Sequence, residues 1–124
     1  MDSAEFKHFR KKLKKTQRQM SQLLGTSIKA IHSYEQGWRS IPAHVERQMF
    51  FLISKIVKKK GDQRPCWEVK KCPPEFKNDC PAWEFKAGQL CWFICGTICD
   101  GVVHQNWKEK MKLCRSCDVF KYLL

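Results

Sequence analysis

Apolar residues in the first sixty positions recur with the period of an α-helix, and this pattern predicts four short helices. Phe6, Phe9 and Leu13 share one face of the first helix, whose other face is rich in Lys and Arg. Thr16 has the residue type of an N-cap for a second helix, which ends at the turn glycine Gly25. Its inward residues are expected to be Met20, Leu23 and Leu24.

Two more helices follow Gly25. Thr26 or Ser27 can cap a third helix that ends at Gly37, with an inward face of Ala30, Ile31 and Tyr34. Pro42 suits the first turn of a fourth helix, whose apolar face is expected to run through Val45, Met49, Leu52 and Ile56. A further apolar face, available to a partner subunit or to the second half of the chain, carries Phe50, Phe51 and Ile53.

The stretch TQRQMSQLLGTSIKAIHSYEQGWRSIP resembles the Cro/phage-repressor (Xre-like) family of helix–turn–helix DNA-binding proteins. The resemblance covers roughly residues 5–57. It rests on an ordered set: Thr16 and Gln17 opening the second helix, Leu23, Gly25 in the turn, Ser27 opening the third helix, Ile31, and Glu35, Gln36 and Gly37 at its end. It implies a mainly α, lambda-repressor-like bundle that places its third helix in the major groove of an operator, usually as a homodimer.

The resemblance also implies which residues contact double-stranded DNA. By position these are Gln17, Thr26, Ser27, Ile28, Lys29, Ser33 and Arg39. Lys29 has the chemistry to reach guanine acceptors and Ile28 to pack on a thymine methyl group. Ile28 and Ser33 are weaker base readers than the amides common in this family, so DNA shape is expected to contribute to specificity. Arg10 and Glu35 occupy positions that pair between the first and third helices in this family.

The charge of the chain is concentrated in the same half. Residues 1–60 hold fourteen Lys or Arg and four Asp or Glu, a net charge of +10, whereas residues 61–124 hold ten and eight, a net charge of +2. A basic half favours a polyanionic partner such as nucleic acid. The length of 124 residues permits two very small domains. One of them is then expected to need a metal, disulfides or an oligomer interface to be stable.

The predicted boundaries follow the charged stretch KKKGDQRP, which contains two helix breakers. They give a DNA-binding domain at 1–60, a linker at 61–65 and a small, irregular, metal-stapled domain at 66–124. The N-terminus lacks the apolar core of a signal peptide, and the longest apolar stretch, MFFLISKIV, is too short to span a bilayer. We therefore expect a cytoplasmic protein without a membrane partner.

All eight cysteines lie after residue 65. Because disulfides are rare in the cytoplasm, we interpret the thiols first as metal ligands. Cys114 and Cys117 form a CxxC pair, a spacing that lets two thiolates bind one metal. Two cysteines, Cys66 and Cys91, each precede a tryptophan whose ring can shield a ligating sulfur from water.

The second half resembles the two-CW domain, a small bacterial module named for its two Cys-Trp pairs. The matching pieces are CWEVKKC (66–72), CPA (80–82), CW (91–92), GTIC (96–99) and KLCRSCDVFK (112–121). The resemblance implies a sensor module of the kind found attached to signalling and regulatory proteins. Cys95 falls where the family more often has a small apolar residue, so we treat it as additional. The predicted metal ligands are Cys66, Cys72, Cys80, Cys91, Cys99, Cys114 and Cys117.

Seven thiols can hold a four-cysteine site plus a three-cysteine site with an open position, or one metal plus a redox-active thiol pair. Their irregular spacing does not resemble paired zinc knuckles, so an iron–sulfur cluster is favoured over zinc, and disulfides or free core thiols are the remaining option. His104, the only histidine in this half, is more typical of a surface or structural residue. The small core is expected to contain Trp83, Phe85, Trp107 and Phe120.

These patterns predict a transcription regulator that binds DNA and senses redox or metal state through its cysteine-rich domain. The first alternative is a constitutive DNA-binding protein with a zinc-stapled protein-interaction module. A thiol oxidoreductase tethered to DNA or RNA is a third hypothesis, which would need an exposed cysteine of low pKa. The sequence contains no Gly-rich phosphate loop and no HExxH motif, so we do not expect an enzyme.

Overall fold

The protein folds mainly into helices, with a two-stranded sheet in a small cysteine-rich region. The computed structural model describes residues 1–57 and 64–124. The chain divides into two compact units, Met1–Lys58 and Lys59–Leu124. Of the linker expected at 61–65, residues 61–63 lie outside the described residues. None of the helices in the described ranges is both long and apolar enough to cross a membrane.

The N-terminal unit contains four helices: α1 Ser3–Lys12, α2 Gln17–Leu24, α3 Ile28–Gln36 and α4 Ala43–Ile56. The predicted N-caps are confirmed, because Thr16 caps α2 and Ser27 caps α3. Gly25 and Gly37 end these two helices with φ angles of 64° and 76°. A residue with a Cβ is strained in that left-handed region, so the two glycines terminate the helices sharply.

The core of this unit is made of aromatic and aliphatic side chains from all four helices. Phe6 of α1 meets Tyr34 of α3 edge-on, with ring centroids 5.6 Å apart. Phe9 of α1 meets Phe50 of α4 in the same way at 5.5 Å. The side chains that are at most 1% exposed here are Phe6, Phe9, Met20, Ile31, Val45, Met49, Phe50 and Ile53.

Two residues that were expected to face inward are exposed. Leu23 is 48% exposed because α2 buries the side that carries Met20 and Leu24, and Leu23 lies on the flank of that side. Ile56 is 53% exposed because it is the last residue of α4, past the final buried turn at Ile53. Leu52 is half-buried, and of the second apolar face only Phe51 is exposed.

The C-terminal unit is built from shorter pieces. They are α5 Cys66–Val69, α6 Pro74–Lys77, α7 Pro81–Glu84, a 3₁₀ turn at Cys91–Phe93, β1 Thr97–Cys99, β2 Val102–His104, α8 Trp107–Cys114 and a second 3₁₀ turn at Lys121–Leu123. Helices of four residues, such as α5, α6 and α7, are far below the length at which an isolated helix is stable in water. Their positions must therefore depend on tertiary contacts.

The strands β1 and β2 form an antiparallel hairpin in which Ile98 is opposite Val103. Asp100 and Gly101 make the turn with φ angles of 52° and 76°, as a two-residue hairpin turn with two left-handed positions requires. The hairpin places Cys99 at the end of β1.

The aromatic core of the C-terminal unit differs in part from the expectation. Trp107 and Phe120 are buried, which confirms two of the four predicted residues. Trp92 is fully buried and meets Phe120 edge-on at 5.4 Å. Trp83 is half-buried, and Phe85 is 68% exposed, because Phe85 directly follows the short helix α7 and turns to its outer side.

Candidate functional site

The helices α2 and α3 are fixed by their caps and by the turn between them. Thr16 Oγ1 accepts a hydrogen bond from the Gln19 backbone N–H at 3.1 Å, and the Thr16 N–H donates to Gln19 Oε1 at 3.0 Å. Ser27 Oγ accepts from the Ala30 N–H at 3.0 Å. Such reciprocal capping satisfies N–H groups that a helix start leaves without partners. The hydroxyl of Ser27, a predicted DNA contact, therefore also holds the start of α3.

Most of the predicted DNA contacts are on the outer surface of this helix pair. Ser27, Ile28, Lys29 and Arg39 are exposed, whereas Thr26 and Ser33 are half-buried. Ile28 is 41% exposed at the first position of α3, where a large aliphatic side chain has no core to fill. Ser33 Oγ donates to the Lys29 carbonyl at 2.9 Å on the same helix. The structure thus presents an apolar, a cationic and several hydroxyl groups near the start of α3.

Gln17 is held by an internal contact. The carboxylate of Glu35 accepts hydrogen bonds from Gln17 Nε2 on α2 and from Arg10 Nε on α1. Arg10 also donates to the Lys15 carbonyl at 2.9 Å. The predicted pairing of Arg10 with Glu35 is confirmed, and it joins three helices through one carboxylate. Gln17 is half-buried, so its amide nitrogen has a structural partner in addition to any role at DNA.

One exposed aromatic residue beside α3 was missed by the sequence reasoning. Trp38 is 73% exposed, and its ring meets His32 of α3 edge-on at 5.3 Å. It directly precedes Arg39, so an aromatic ring and a guanidinium follow the end of the helix. The available signal was the tryptophan itself, because a single large apolar residue after a terminating glycine has no place in the helical pattern.

In the C-terminal unit, five cysteines from separate elements line one cavity of about 20 Å³. The volume is close to that of one bound water molecule. Trp67 and Trp83 also line it, and their rings meet edge-on at 4.9 Å. The cysteines are Cys66, Cys72, Cys80, Cys91 and Cys99.

The other two predicted ligands lie in the same neighbourhood. Cys114 is buried on α8, and its carbonyl accepts a hydrogen bond from the Cys117 N–H at 2.9 Å. Cys117 packs against the apolar cluster that contains Cys80 and Cys91. The structure thus gathers all seven predicted ligand positions, drawn from α5, α8, β1, the 3₁₀ turn and the loops between them. Cys95 is not among the residues that line the cavity.

The environment favours the neutral form of four of these thiols. Burial raises the pKa of Cys99 to about 12 and the pKa of Cys114 to about 11. A hydrogen bond with Cys66, together with burial, raises the pKa of Cys91 well above its ordinary value, and burial also raises the pKa of Cys72. A metal that binds as thiolate complexes must therefore displace protons at neutral pH.

Three lysines accompany the thiols, and the sequence reasoning identified none of them. Lys70 and Lys77 line the cavity, and Lys70 pairs with Asp100 at 3.4 Å. Lys110 is 1% exposed and donates a hydrogen bond to Thr97 Oγ1. Its burial could have been found from the helical period, because Lys110 shares the inner face of α8 with Trp107, Met111 and Cys114.

The donor chemistry fits a thiolate-bound metal. Zinc and iron–sulfur clusters both prefer cysteine sulfur, and the cavity is rich in it. Among the described residues no three His, Cys, Asp or Glu side chains already stand in a group that would hold a metal ion. The cysteines line or adjoin one cavity without forming a preorganised ligand group among the described residues. His104 is half-buried, does not line the cavity, and its Nε2 has no hydrogen-bond partner in the described part of the chain.

Comparison of the chain with known protein families, with characterised proteins and with solved structures returns no match. A functional assignment for this chain therefore depends on its own residues and their contacts.

Proposed function

We propose that the chain is a transcription regulator that binds double-stranded DNA through α2 and α3, which act as a helix–turn–helix. The observation that carries this proposal is the capped, exposed start of α3, where Ile28 and Lys29 project from a unit with an otherwise well-filled core. The strongly basic composition of residues 1–60 supports it, because phosphate neutralisation supplies most of the affinity for DNA.

In this proposal the residues divide into base readers and phosphate contacts. Lys29 would reach guanine acceptors in the major groove and Ile28 would pack on a thymine methyl group. Thr26, Ser27 and Arg39, together with the N–H groups at the start of α3, would contact phosphates. Ser33 lies one turn after Lys29 on α3, and the Glu35 contact fixes the side chain of Gln17 before DNA arrives. A homodimer would place two copies of α3 about one turn of DNA apart.

We further propose that the C-terminal unit holds a metal through its thiolates. The ligands would come from Cys66, Cys72, Cys80, Cys91 and Cys99, which line the cavity, with Cys114 and Cys117 beside it. The small cavity favours a single ion such as zinc over a multi-iron cluster, whereas the irregular cysteine spacing favours the cluster. Such a centre would hold the short helices together. This stabilisation would be lost when the thiols are oxidised or the metal is removed.

Regulation would follow from a change in charge and order. Four thiolates around a divalent ion carry a net charge of about −2 where neutral thiols carry none. This change would remove the small positive charge of residues 61–124, which is +2 with neutral thiols. Binding or loss of the metal would thereby alter both the fold of the C-terminal unit and the electrostatic attraction of the chain for DNA.

The DNA-binding proposal is tested by selecting bound sequences from a random duplex pool and measuring affinities by fluorescence anisotropy. Lys29→Met should weaken binding to the selected site at least tenfold, because it removes a base contact as well as a charge. Lys108→Met changes the charge equally on an exposed side chain of α8 and should stay within about threefold of the parent. Equal losses in the two variants would contradict the assignment of α3 as the reading helix.

The metal is tested by elemental analysis and absorption spectroscopy of protein purified without oxygen. A zinc centre is colourless, and an iron–sulfur cluster absorbs at about 400 nm. Measuring operator affinity with and without the bound metal then separates a sensor from a constitutive DNA-binding protein that carries a zinc-stapled module. A sensor requires a difference of at least fivefold, and equal affinities favour the constitutive protein.

A further inference from the structure

Lys110 is a cation buried among thiols. Its residue is 1% exposed, and its ammonium donates to the hydroxyl of Thr97, itself fully buried. Within the described part of the chain, no carboxylate lies within ion-pair distance of Lys110 Nζ. Lysine is almost never fully buried without a partner of opposite charge, because removing an ammonium from water is strongly unfavourable. A charged Lys110 would therefore need a negative charge supplied by its surroundings.

The groups that can supply it are cysteines. Thr97, which accepts the hydrogen bond of Lys110, lines the cavity together with Cys91 and Cys99, and Cys114 lies one turn after Lys110 on the inner face of α8. Among the described residues, the hydrogen-bond partner of Lys110 Nζ is the hydroxyl of Thr97. Once these cysteines become metal-bound thiolates, their complex carries a net negative charge close to the ammonium.

We propose that Lys110 is the built-in countercharge of an anionic metal–thiolate complex, and so a positioning residue for the metal. This inference rests on the metal centre proposed above. A divalent ion with four thiolates and a four-iron cluster with four thiolates are both dianions, so the argument holds for either occupant. The ammonium makes the cavity favour an occupant that is negatively charged as a whole, and it disfavours one that leaves the thiols protonated.

The proposal predicts effects of opposite sign in the two states of the protein. Without metal, the buried amino group of Lys110 has no countercharge among the described residues, so Lys110→Met should raise the urea midpoint of the C-terminal unit. Methionine is similar in length and carries no charge, so it fits a buried apolar setting. With metal, the same substitution should weaken binding by about 10- to 100-fold, the range found when groups that support metal ligands are removed.

The experiment uses the full chain and zinc ions in competition with a chromogenic chelator, in parallel with urea unfolding in chelator and reductant. Lys112→Met is the matched control, because Lys112 lies on the same helix with 66% of its side chain exposed and pairs with Glu109. It should leave zinc affinity within about threefold of the parent. Thr97→Val keeps the ammonium and removes its hydrogen-bond partner, so it should also retain affinity within that range.

The possible outcomes distinguish failure of the role of Lys110 from failure of the proposed metal centre. A parent chain that binds neither zinc nor iron overturns both. A parent that binds zinc with Lys110→Met binding equally well overturns only the role of Lys110. A Lys110→Met chain that is destabilised without metal, or a Thr97→Val chain that loses as much affinity as Lys110→Met, shows a packing role and also overturns it. Weaker zinc binding together with a higher metal-free urea midpoint supports it.

Discussion

The two units of this chain are stabilised by different physical means. In the N-terminal unit, helices of eight to fourteen residues close over aromatic and aliphatic side chains such as Phe9 and Ile31. In the C-terminal unit, helices of four residues accompany a cysteine-lined cavity, and the buried side chains include Lys110 and Thr97 besides apolar ones such as Trp92 and Phe120. Apolar burial stabilises both arrangements, and the second also contains cysteines and a lysine that a bound metal would stabilise further.

The difference shows how a chain of this size can combine a unit that is stable without a ligand with a unit whose stability is expected to depend on one. The N-terminal unit needs no ligand, because its core residues and helix caps are satisfied within the chain. The C-terminal unit places Lys110 and five cavity-lining cysteines where a larger core would have hydrophobic side chains. Its stability should therefore respond to metal and to oxidation, while that of the N-terminal unit should not.

The largest expected effect is produced by metal removal. Chelator and reductant should strongly accelerate hydrogen exchange in residues 66–124 and leave the exchange of α1 to α4 almost unchanged. Structural zinc sites contribute on the order of 10 kcal/mol of folding free energy, so loss of the metal should lower the stability of this unit more than any single substitution. Hydrogen exchange followed by mass spectrometry measures both units in one sample. Equal protection of the C-terminal unit with and without metal would remove the contrast between the units.

Truncation of a core side chain should destabilise the N-terminal unit to the same extent with and without metal. Phe9→Ala removes a ring that is 1% exposed and contacts Phe50, and it should destabilise this unit by about 3–5 kcal/mol regardless of metal. Leu23→Ala is the control, because Leu23 is 48% exposed and its loss should change the stability by less than about 1 kcal/mol. Urea unfolding with and without chelator tests both variants. A metal-dependent effect of Phe9→Ala would contradict the independence of the two stabilising mechanisms.

Metal affinity should rise with pH. Burial raises the pKa of Cys99 to about 12 and the pKa of Cys114 to about 11, so both thiols are protonated near neutral pH, where protons compete with the metal for the sulfur atoms. Release of these two protons alone should strengthen zinc binding on the order of 100-fold for each pH unit gained between about pH 6 and about pH 8, and each further thiol ligand adds to this slope. Competition titrations across this range give the slope. A slope of zero would mean that neither thiol is a ligand.

The same shifts predict the pH response of the metal-free C-terminal unit. A thiol whose folded pKa lies above its unfolded value keeps its proton more tightly in the folded state. The stability linked to Cys99 is therefore fully present below about pH 9 and is lost as the pH rises toward about 12. Urea midpoints in chelator and reductant should fall over this window. Stability that increases above about pH 9 would contradict the burial of this thiol.

Removal of a helix cap gives the smallest expected effect. Thr16→Ala deletes a reciprocal pair of hydrogen bonds at the start of α2 and should lower the stability of the N-terminal unit by about 1 kcal/mol. Gln22→Ala, at an exposed position of the same helix, should change it by no more than about 0.5 kcal/mol. Thermal unfolding resolves the two variants. Equal shifts would show that the cap contributes nothing beyond helix propensity.

The parts of the fold that local chemistry determines could be predicted from the sequence. Thr16, Ser27, Gly25 and Gly37 mark helix ends through caps and left-handed turns, and the Asp100-Gly101 turn does the same for the hairpin. The assignment of apolar residues to buried faces was less accurate. Leu23 and Phe85 have apolar side chains, yet their exposure depends on how wide a side each helix buries and where it ends, which spacing alone does not specify.

The candidate sites also contain some residues that could be predicted from the sequence and others that could not. The residues at the start of α3 were predicted from the resemblance to the Cro/phage-repressor family, and Ser27, Ile28 and Lys29 are exposed there. The convergence of cysteines from α5, β1, α8 and the loops could not be derived from their irregular spacing, because it depends on tertiary packing. Lys110 was missed because a lysine is normally assigned to the surface, although its position on the inner face of α8 was readable.

The central claim, that coordination by the gathered thiols holds the C-terminal unit together, is tested most directly by native mass spectrometry of the full chain prepared without oxygen. The account predicts a folded charge-state distribution carrying bound metal or cluster, with the accompanying loss of thiol protons. It predicts that chelation converts this distribution to a more highly charged, partly unfolded one. A chain that is metal-free and fully compact under the same conditions would contradict it.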